Sequence, residues 1–429
     1  MQTLSATFKI VTPMFIGGAD QSPSDGIRPP SVKGALRFWY RAIDPDYKKH
    51  EARIFGGSGK DDGQAIFLLT LDRVITETKH WDKERYECLN EDHPNKPKDL
   101  STNNKSWTLN GNTYLGFSLT MGDNKRTAIL SNKTFTIKLL FKRQPDEQDQ
   151  KRILAALWLF GHIGGLGSRS RRGFGTVALQ SWESDWTEMN TLASAHGAGS
   201  PEEWLNKFGS GFKQLKEWFP GDGSPDHTVL GAGRDFYLFT AGHGGESRQC
   251  TDRNGQTKAY DYFAWEMAMD VAGKTMQQFR QRYLLTDQNK DYFRIKAHLC
   301  EKNNLTASGV TPALLSGSAP ERVAFGLPLT FRYSSLQNVR ITFQGTTHDR
   351  SASPLWIRIV EINGKCHPFF ALLNARLLAQ GEKVADQKDV QTAKRNNRPV
   401  SPSYNAPANT ILQTFCSKEL EPNALEVRW

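Results

Sequence analysis

The order of hydrophobic periodicities in the amino-terminal half restricts the possible folds of this chain more than any other feature. Alternating apolar and polar residues predict strands, and apolar residues at i, i+3, i+4 and i+7 predict helices. The resulting order is strand, helix, strand, strand, helix, strand, which is typical of the ferredoxin-like (RRM-like, βαββαβ) fold. We therefore predict an α+β protein in which two helices cover one face of an antiparallel sheet. The predicted strands are 4–10, 65–71, 135–141 and 175–182, and the predicted helices are 31–43 and 146–163.

The carboxy-terminal half resembles a second copy of this plan with altered spacing, although no residue-level repeat is visible. We predict two tandem ferredoxin-like domains with insertions, one of them a polar segment at 75–112. In the second domain the sequence predicts helices over 260–284 and 369–379 and a polar loop over 386–410. The predicted divisions are an amino-terminal domain at 1–185, a connecting helical segment at 186–228 and a second domain at 229–429.

The charge balance favours an anionic partner, because the formal net charge is +10. A basic soluble protein without such a ligand is the alternative. The five cysteines contain no CxxC pair, which argues against a disulfide framework or a zinc finger and favours a reducing environment. No signal-peptide pattern and no apolar run of roughly 18 residues is present. We predict a cytoplasmic protein with no membrane partner.

The first predicted helix carries a stripe of positive charge. Lys33, Arg37 and Arg41 follow one another at intervals of four, and Tyr40 lies beside them around the helix axis. No acidic residue is interleaved with them, as it normally is on a solvated helix face. Cations bind phosphates and an aromatic ring stacks on unpaired bases, so the stripe suits single-stranded nucleic acid. A merely solvated face is the alternative interpretation.

The loop "GGLGSRSRRGFG" at 164–175 combines five glycines with three arginines and contains no acid. Glycine lets a backbone approach a ligand and direct N–H groups toward an anion, and arginine adds bidentate donors. We expect an anion to balance these charges, and a second basic surface on the helix favours extended nucleic acid. The candidate residues of this loop are Gly165, Gly167, Ser168, Arg169, Ser170, Arg171, Arg172 and Gly173.

Catalytic and nucleotide-binding motifs are weak. "GGSGKDDG" and "AMDVAGKT" each lack a glycine that a P-loop requires, and "RGFGTVAL" matches the RNA-recognition octamer only in part. His162 is interpreted as a satisfied histidine at a helix end. Asp20 and Asp25, in the first loop, could bind a metal or act on an RNA 2′-hydroxyl, but loop aspartates are common. We predict no metal, no cofactor and no catalytic residue.

The segment "IRPPSVKGALRFWYRAI", the following "IFGG" and the glycine-rich loop together resemble the RAMP superfamily of CRISPR proteins. Within it, the chain is similar to the family of the first-named subunit of the Cmr (type III-B) RNA-targeting effector complex. "VAFGLPLTF" and "RSASPLWIR" extend the likeness into the second half, with 75–112 and 381–410 outside it.

The resemblance implies a non-catalytic subunit that contacts the 3′ part of the guide RNA and the target RNA paired with it, in antiviral defence. Its other partners would be neighbouring RAMP subunits of the ribonucleoprotein. The alternatives are a RAMP endoribonuclease, acting through His162, Asp20 or Asp25, and a scaffold that touches only protein. In the second domain, Arg350 and Arg358 are further candidates for RNA contact. The candidate RNA-binding residues of the first domain are Arg28, Lys33, Arg37, Tyr40, Arg41 and the loop residues named above.

Overall fold

In the computed structural model the amino-terminal half forms a four-stranded antiparallel sheet. The described residues are 2–18, 22–60, 62–72, 77–81, 84–87, 89, 110–120, 126–221, 230, 235–251, 257–285, 291–305 and 317–428. Most of the predicted insertion at 75–112 therefore lies outside them. The strands of this half are β1 (Thr3–Ile10), β2 (Phe67–Leu71), β3 (Thr78–His80), β4 (Thr127–Ile129), β5 (Thr134–Phe141) and β6 (Val177–Glu183). The helices are α1 (Pro29–Ile43), α2 (Tyr47–Phe55), α3 (Glu84–Glu87), α4 (Gly111–Leu115), α5 (Glu147–His162), α6 (Thr187–Thr191) and α7 (Pro201–Trp218).

The first sheet has the strand order β2–β5–β1–β6, and each neighbouring pair is antiparallel. In β1 every second residue is buried, so one face of the sheet lies against the core. Helices α1 and α5 pack on that face beside each other. The Asp146 side chain caps α5 by accepting from the Asp149 N–H. All six predicted elements of this half are confirmed.

The carboxy-terminal half contains a second four-stranded antiparallel sheet, with the order β12–β13–β7–β15. A smaller sheet, β10–β11–β14, has its own apolar cluster. The strands are β7 (Asp235–Phe239), β8 (Glu246–Thr251), β9 (Thr257–Tyr262), β10 (Leu329–Tyr333), β11 (Val339–Gly345), β12 (Leu355–Ile362), β13 (Lys365–Leu372), β14 (Val384–Asp386) and β15 (Ala424–Arg428). The helices are α8 (Ala264–Leu285), α9 (Asp291–Lys302), α10 (Gln387–Arg395) and α11 (Thr410–Phe415).

The two larger sheets share one arrangement. If the four strands of each sheet are numbered in chain order, both sheets have the spatial order second, third, first, fourth. The α+β class is therefore confirmed. The largest apolar core contains Trp158 and Phe208 from the first half together with Trp356 and Phe369 from the second, so the halves are packed against each other. No helix within the described ranges is long and apolar enough to cross a membrane.

Two predictions for the second half are wrong. The expected helix over 369–379 does not form: residues 369–372 belong to strand β13, and 373–379 are irregular. Strand β13 pairs with β12 through a tight turn at Asn363 and Gly364. Both turn residues have positive φ, 46° and 77°, as an Asn-Gly hairpin turn requires. Because β13 is buried on both faces, its apolar run lacks the alternation that identifies a strand. The polar loop expected over 386–410 contains helix α10, capped by the Asp386 side chain.

Two helix-interior glycines are expected to respond oppositely to alanine. A Cβ at Gly273 in α8 would lie 2.3 Å from the carbonyl oxygen of Gly111 in α4, whereas nothing lies within 4 Å of a Cβ at Gly34 in α1. Gly273→Ala should lower the free energy of unfolding by roughly 1–3 kcal/mol because the helices must separate. Gly34→Ala should raise it by about 0.5–1 kcal/mol through helix propensity. Thermal unfolding checks both, and a loss of stability in Gly34→Ala would contradict the second expectation.

Candidate nucleic-acid interface

Helix α1 presents its cations on the side away from its buried face. The helix begins at Pro29 after Arg28, and prolines in its first turn suit a position where no backbone donor is needed. Lys33, Arg37 and Arg41 are partly exposed. The apolar face consists of Val32, Leu36, Trp39 and Ile43, all buried. The predicted charged stripe therefore exists as a surface feature.

A carboxylate that the sequence pattern did not reveal lies against this stripe. Glu51, on α2, accepts from Arg37 Nε at 2.6 Å and from Arg41 Nε and Nη2 at 2.8 and 2.6 Å. Burial opposes ionisation of this carboxyl, but the hydrogen bonds from both arginines hold its pKa below the usual value. Two guanidinium groups share one negative charge, so the stripe keeps a net positive charge together with Lys33.

Lys33 connects the stripe to a second group of cations. Its Nζ lies 5.6 Å from the centroid of the Phe67 ring, and burial, Arg37 and Lys142 all lower its pKa. Lys142 and the neighbouring Arg143 are exposed and line an open hollow of about 620 Å³. We call this the basic hollow. Its charged lining residues are Lys49, Arg53, Asp62, Lys142 and Arg143.

Sequence reasoning missed Lys142 and Arg143. Their signal was available, because two consecutive basic residues directly follow the predicted strand "FTIKLLF". Within the hollow, Arg53 forms an ion pair with Asp149, so the Asp149 carboxylate offsets the positive charge of Arg53. Lys142 donates to the side-chain amide oxygen of Gln64, which is an uncharged acceptor.

The prediction that Tyr40 offers a ring for base stacking is wrong. Its side chain is fully buried, and its hydroxyl donates to Asp44 Oδ2 at 2.7 Å. Burial, together with Asp44, raises the pKa of Tyr40. Its ring packs 5.5 Å from that of Phe55 on α2, because α2 folds back over this side of α1.

The glycines of the 164–175 loop allow close packing within the protein. A Cβ at Gly167, where φ is 90°, would lie 2.6 Å from the carbonyl oxygen of Phe15. At Gly173, where φ is 86°, it would lie 2.4 Å from Met269 Sδ on α8. The N–H of Ser168 donates to the Phe15 carbonyl at 2.8 Å, and Gly165 forms an isolated antiparallel β-bridge with Thr176. Glycine is therefore required at these positions because the loop packs closely against the protein's own backbone and against α8.

Arg171 is held by the second half of the chain. Its guanidinium lies 4.7 Å from the Trp356 ring centroid and 5.3 Å from that of Phe38 on α1, and Nη1 donates to the Ser353 carbonyl at 3.0 Å. Burial lowers the pKa of Arg171 to about 10. Guanidinium stacking on aromatic faces is favourable when both groups are desolvated. The contact with Phe38 also places this loop directly beside α1.

Arg172 crosses to the second half in the same way. Its Nη2 donates to the Phe325 carbonyl at 2.5 Å, and Nη1 lies 3.0 Å from Met276 Sδ. Burial lowers its pKa to about 10. The backbone beside it pairs with β12, where the Ile357 N–H donates to the Arg171 carbonyl at 3.1 Å. Backbone carbonyl oxygens accept hydrogen bonds from both Arg171 and Arg172, and aromatic rings lie against the Arg171 guanidinium. The inference that an outside anion must balance these two arginines is therefore corrected.

Arg169 differs from its two neighbours. It has a positive φ of 63° and is partly exposed, and burial together with Arg350 lowers its pKa. Arg126 Nη2 lies 3.5 Å from the Ser168 hydroxyl in the same part of the loop. We call Arg126, Arg169 and Arg350 the loop-tip cluster. Ser170 is partly exposed as well.

Two other predicted cations have internal roles. Arg28 Nη2 donates to the Gly17 carbonyl at 3.0 Å and so ties the first loop to the start of α1. Arg358 is only 3% exposed, which corrects the expectation that it offers an RNA contact. Arg350, in contrast, is exposed.

His162 has no ring nitrogen left for a substrate. Nδ1 donates to the Trp158 carbonyl at 2.8 Å, and Nε2 accepts from the Ala195 N–H at 3.0 Å, which fixes the neutral tautomer. Burial lowers its pKa to about 3. Asp25 is exposed, and Asp20 lies outside the described residues. No group of three His, Cys, Asp or Glu side chains with metal-binding geometry occurs in the described part of the chain.

Arg172→Ala is expected to destabilise the fold although arginine is usually a surface residue. It removes a charge-assisted bond and leaves the Phe325 carbonyl without that donor, so the free energy of unfolding should fall by roughly 2–3 kcal/mol. Arg143→Ala, which changes an exposed cation, should stay within about 0.5 kcal/mol of the parent. Thermal unfolding distinguishes the two. Equal stability of both variants would contradict a stabilising role for the bond between Arg172 and the Phe325 carbonyl.

The buried His162 predicts a pH dependence of stability. Unfolded histidine binds a proton near pH 6.5, whereas folded His162 does so only near pH 3, so stability is lost as the pH falls below 6.5. The contribution is about 1.4 kcal/mol per pH unit. His162→Gln, which keeps a donor and an acceptor, should flatten the decline of melting temperature between pH 6.5 and 5, while His80→Gln at an exposed site should not. Parallel curves for the parent and His162→Gln would refute the assignment.

Comparison with known proteins finds a family to which part of the chain is similar. Residues 7–178 match the model of the RAMP superfamily. The chain is 24% identical over 351 residues to the CRISPR system Cmr subunit Cmr1-1 of Pyrococcus furiosus, covering 79% of this chain and 78% of that protein. It is 26% identical over 188 residues to Cmr1-2 of the same organism, covering 40% of this chain and 91% of that protein.

The crystal structure of Cmr1 from Pyrococcus furiosus, in its apo form, has the same fold. The TM-score is 0.51 at 16% identity, and the match covers 93% of this chain and 98% of the other. The resemblance to the RAMP superfamily is thus confirmed for residues 7–178, and the similarity to Cmr1 extends over most of the chain.

Proposed function

We propose that this chain is a non-catalytic, RNA-binding subunit of a type III-B CRISPR (Cmr) ribonucleoprotein. In this role it contacts the 3′ part of the guide RNA and the target RNA paired with it, beside other RAMP subunits, during antiviral defence in the cytoplasm. Similarity to two Cmr1 subunits supports membership of such a complex. A formal net charge of +10 suits a polyanionic ligand.

The observation that carries the proposal is the continuity of the α1 stripe with the basic hollow. Lys33, which is electrostatically coupled to both Arg37 and Lys142, joins the two. Ribose-phosphate lies along such a row of cations without base-specific contacts, because phosphate binding is independent of sequence. Sequence choice is then left to pairing between guide and target, as in another RNA-guided effector.

The loop-tip cluster provides the second proposed contact. Arg350 lowers the pKa of Arg169, so the two guanidinium groups lie near each other, and one phosphate group could contact both. Because Arg171 stacks on Phe38 of α1, the loop is adjacent to the helix that carries the stripe. Arg171 and Arg172 themselves position this loop and are not proposed to touch RNA.

The domain organisation belongs to the same proposal. We assign residues 1–185 and 229–429 to two ferredoxin-like RAMP domains and 186–228 to the connecting segment. The common strand order of the two larger sheets supports this assignment. The packing of α7 against both α5 and β7 supports a connector that is part of the fold.

Replacing Lys33, Lys142 and Arg143 together by alanine should weaken binding of single-stranded RNA of any sequence. Each lost phosphate contact removes about 0.7 from the slope of log K against log salt, so the slope should flatten by up to about 2. Fluorescence anisotropy across a KCl series measures both quantities. The matched control replaces Arg340, Lys388 and Arg398, three exposed cations elsewhere, and should leave the slope unchanged.

The same assay separates the alternatives. Identical affinity and slope in the two triple variants would favour a protein-only scaffold. RNA cleavage that disappears in Asp20→Ala would favour an endoribonuclease. Melting temperatures of all variants must match the parent, because loss of fold would also abolish binding.

A further inference from the structure

A buried guanidinium that pairs with no carboxylate of the described residues lies between the two halves of the protein. Arg358, on β12, donates through Nη2 to the carbonyls of Gly161 at 3.2 Å and Val177 at 3.0 Å. Its Nε and Nη1 are buried and have no hydrogen-bond partner among the described residues. Burial alone lowers its pKa to about 9, and no carboxylate of the described chain opposes that shift.

This side chain lines a cavity of about 160 Å³ between β6 and β12, the facing edge strands of the two larger sheets. Lys9 and Glu361 lie at the same cavity and neutralise each other through an ion pair of 2.6 Å. His162 is neutral there, so the lining keeps one uncompensated positive charge, that of Arg358. The remaining polar side chains of the lining are Gln180, His196 and Asn363.

Water can supply hydrogen bonds to Arg358 but cannot supply negative charge. Arg171 and Arg172 also donate to carbonyl oxygens, but of the three only Arg358 leaves two buried donors without a partner among the described residues. Taking such donors and their charge out of water costs several kcal/mol unless a ligand supplies the missing acceptors. Guanidinium groups bind phosphate and carboxylate most strongly. Residues of β1, β6 and β12 and of the 195–198 segment line the cavity.

We propose that this inter-sheet cavity is a binding site for a phosphate-type oxyanion, with Arg358 as its charge partner. The ligand neutralises the guanidinium and joins the facing edges of the two sheets. The site uses none of the residues of the α1 stripe, the basic hollow or the loop-tip cluster, so it does not depend on the proposed RNA contacts.

Thermal unfolding of the full chain in inorganic phosphate, against KCl at equal ionic strength, tests the site. At one hundred times its Kd, phosphate should raise the melting temperature by on the order of 3 °C beyond KCl. Arg358→Gln should abolish this increment, and Arg398→Gln, at an exposed position, should retain it. A nucleoside 5′-monophosphate is compared with the matching nucleoside to distinguish a phosphate ester from the free ion. If the site accepts esters, the monophosphate raises the melting temperature and the nucleoside does not. If it accepts only the free ion, neither compound raises it.

Gln180→Glu keeps the test decisive if Arg358→Gln fails to fold. It places a carboxylate at the partly exposed edge of the same cavity, so the protein should become more stable in KCl and lose its response to phosphate. Equal melting temperatures in phosphate and KCl for the parent, or an unchanged phosphate increment in Gln180→Glu, would overturn the proposal and leave the cavity to water.

Discussion

The structure depends on arginine side chains that leave water to join the two halves of the chain. Arg171 and Arg172 extend from the glycine-rich loop into the second half, and Arg358 extends from the second half to the first. Desolvated guanidinium groups require acceptors at fixed positions, and backbone carbonyls provide them for Arg171 and Arg172 and in part for Arg358. The requirement fixes how the facing edges of the two larger sheets meet. It also explains why a loop so rich in arginine contains no acid, since carbonyl oxygens and aromatic rings take that place.

Much of the amino-terminal half could be predicted because its strands alternate regularly and its helices have clear apolar faces. Strand β1 and helix α5, for example, lie within a residue of their expected bounds. In the second half, β13 is covered on both faces, which removes the alternation, and only the Asn363–Gly364 dipeptide signalled a hairpin. Local pattern therefore predicts elements with one exposed face and fails for those that the fold covers completely.

The candidate interface shows the same division. The spacing of Lys33, Arg37 and Arg41 placed them correctly on one exposed side of α1. The acid that pairs with two of them, Glu51, lies on a different helix, so no pattern within α1 could reveal it. Tyr40 was expected on the same side by angle alone, but the covering helix α2 buries it. Charge position follows from helix geometry, whereas charge pairing and burial follow from tertiary packing.

The aromatic core shared by Trp158, Phe208, Trp356 and Phe369 has a consequence for the whole molecule. Rings from both halves pack in a single interior. If the chain were cut between the halves and they separated, each half would expose apolar rings to water. The contact between the halves is therefore part of the interior that stabilises both sheets.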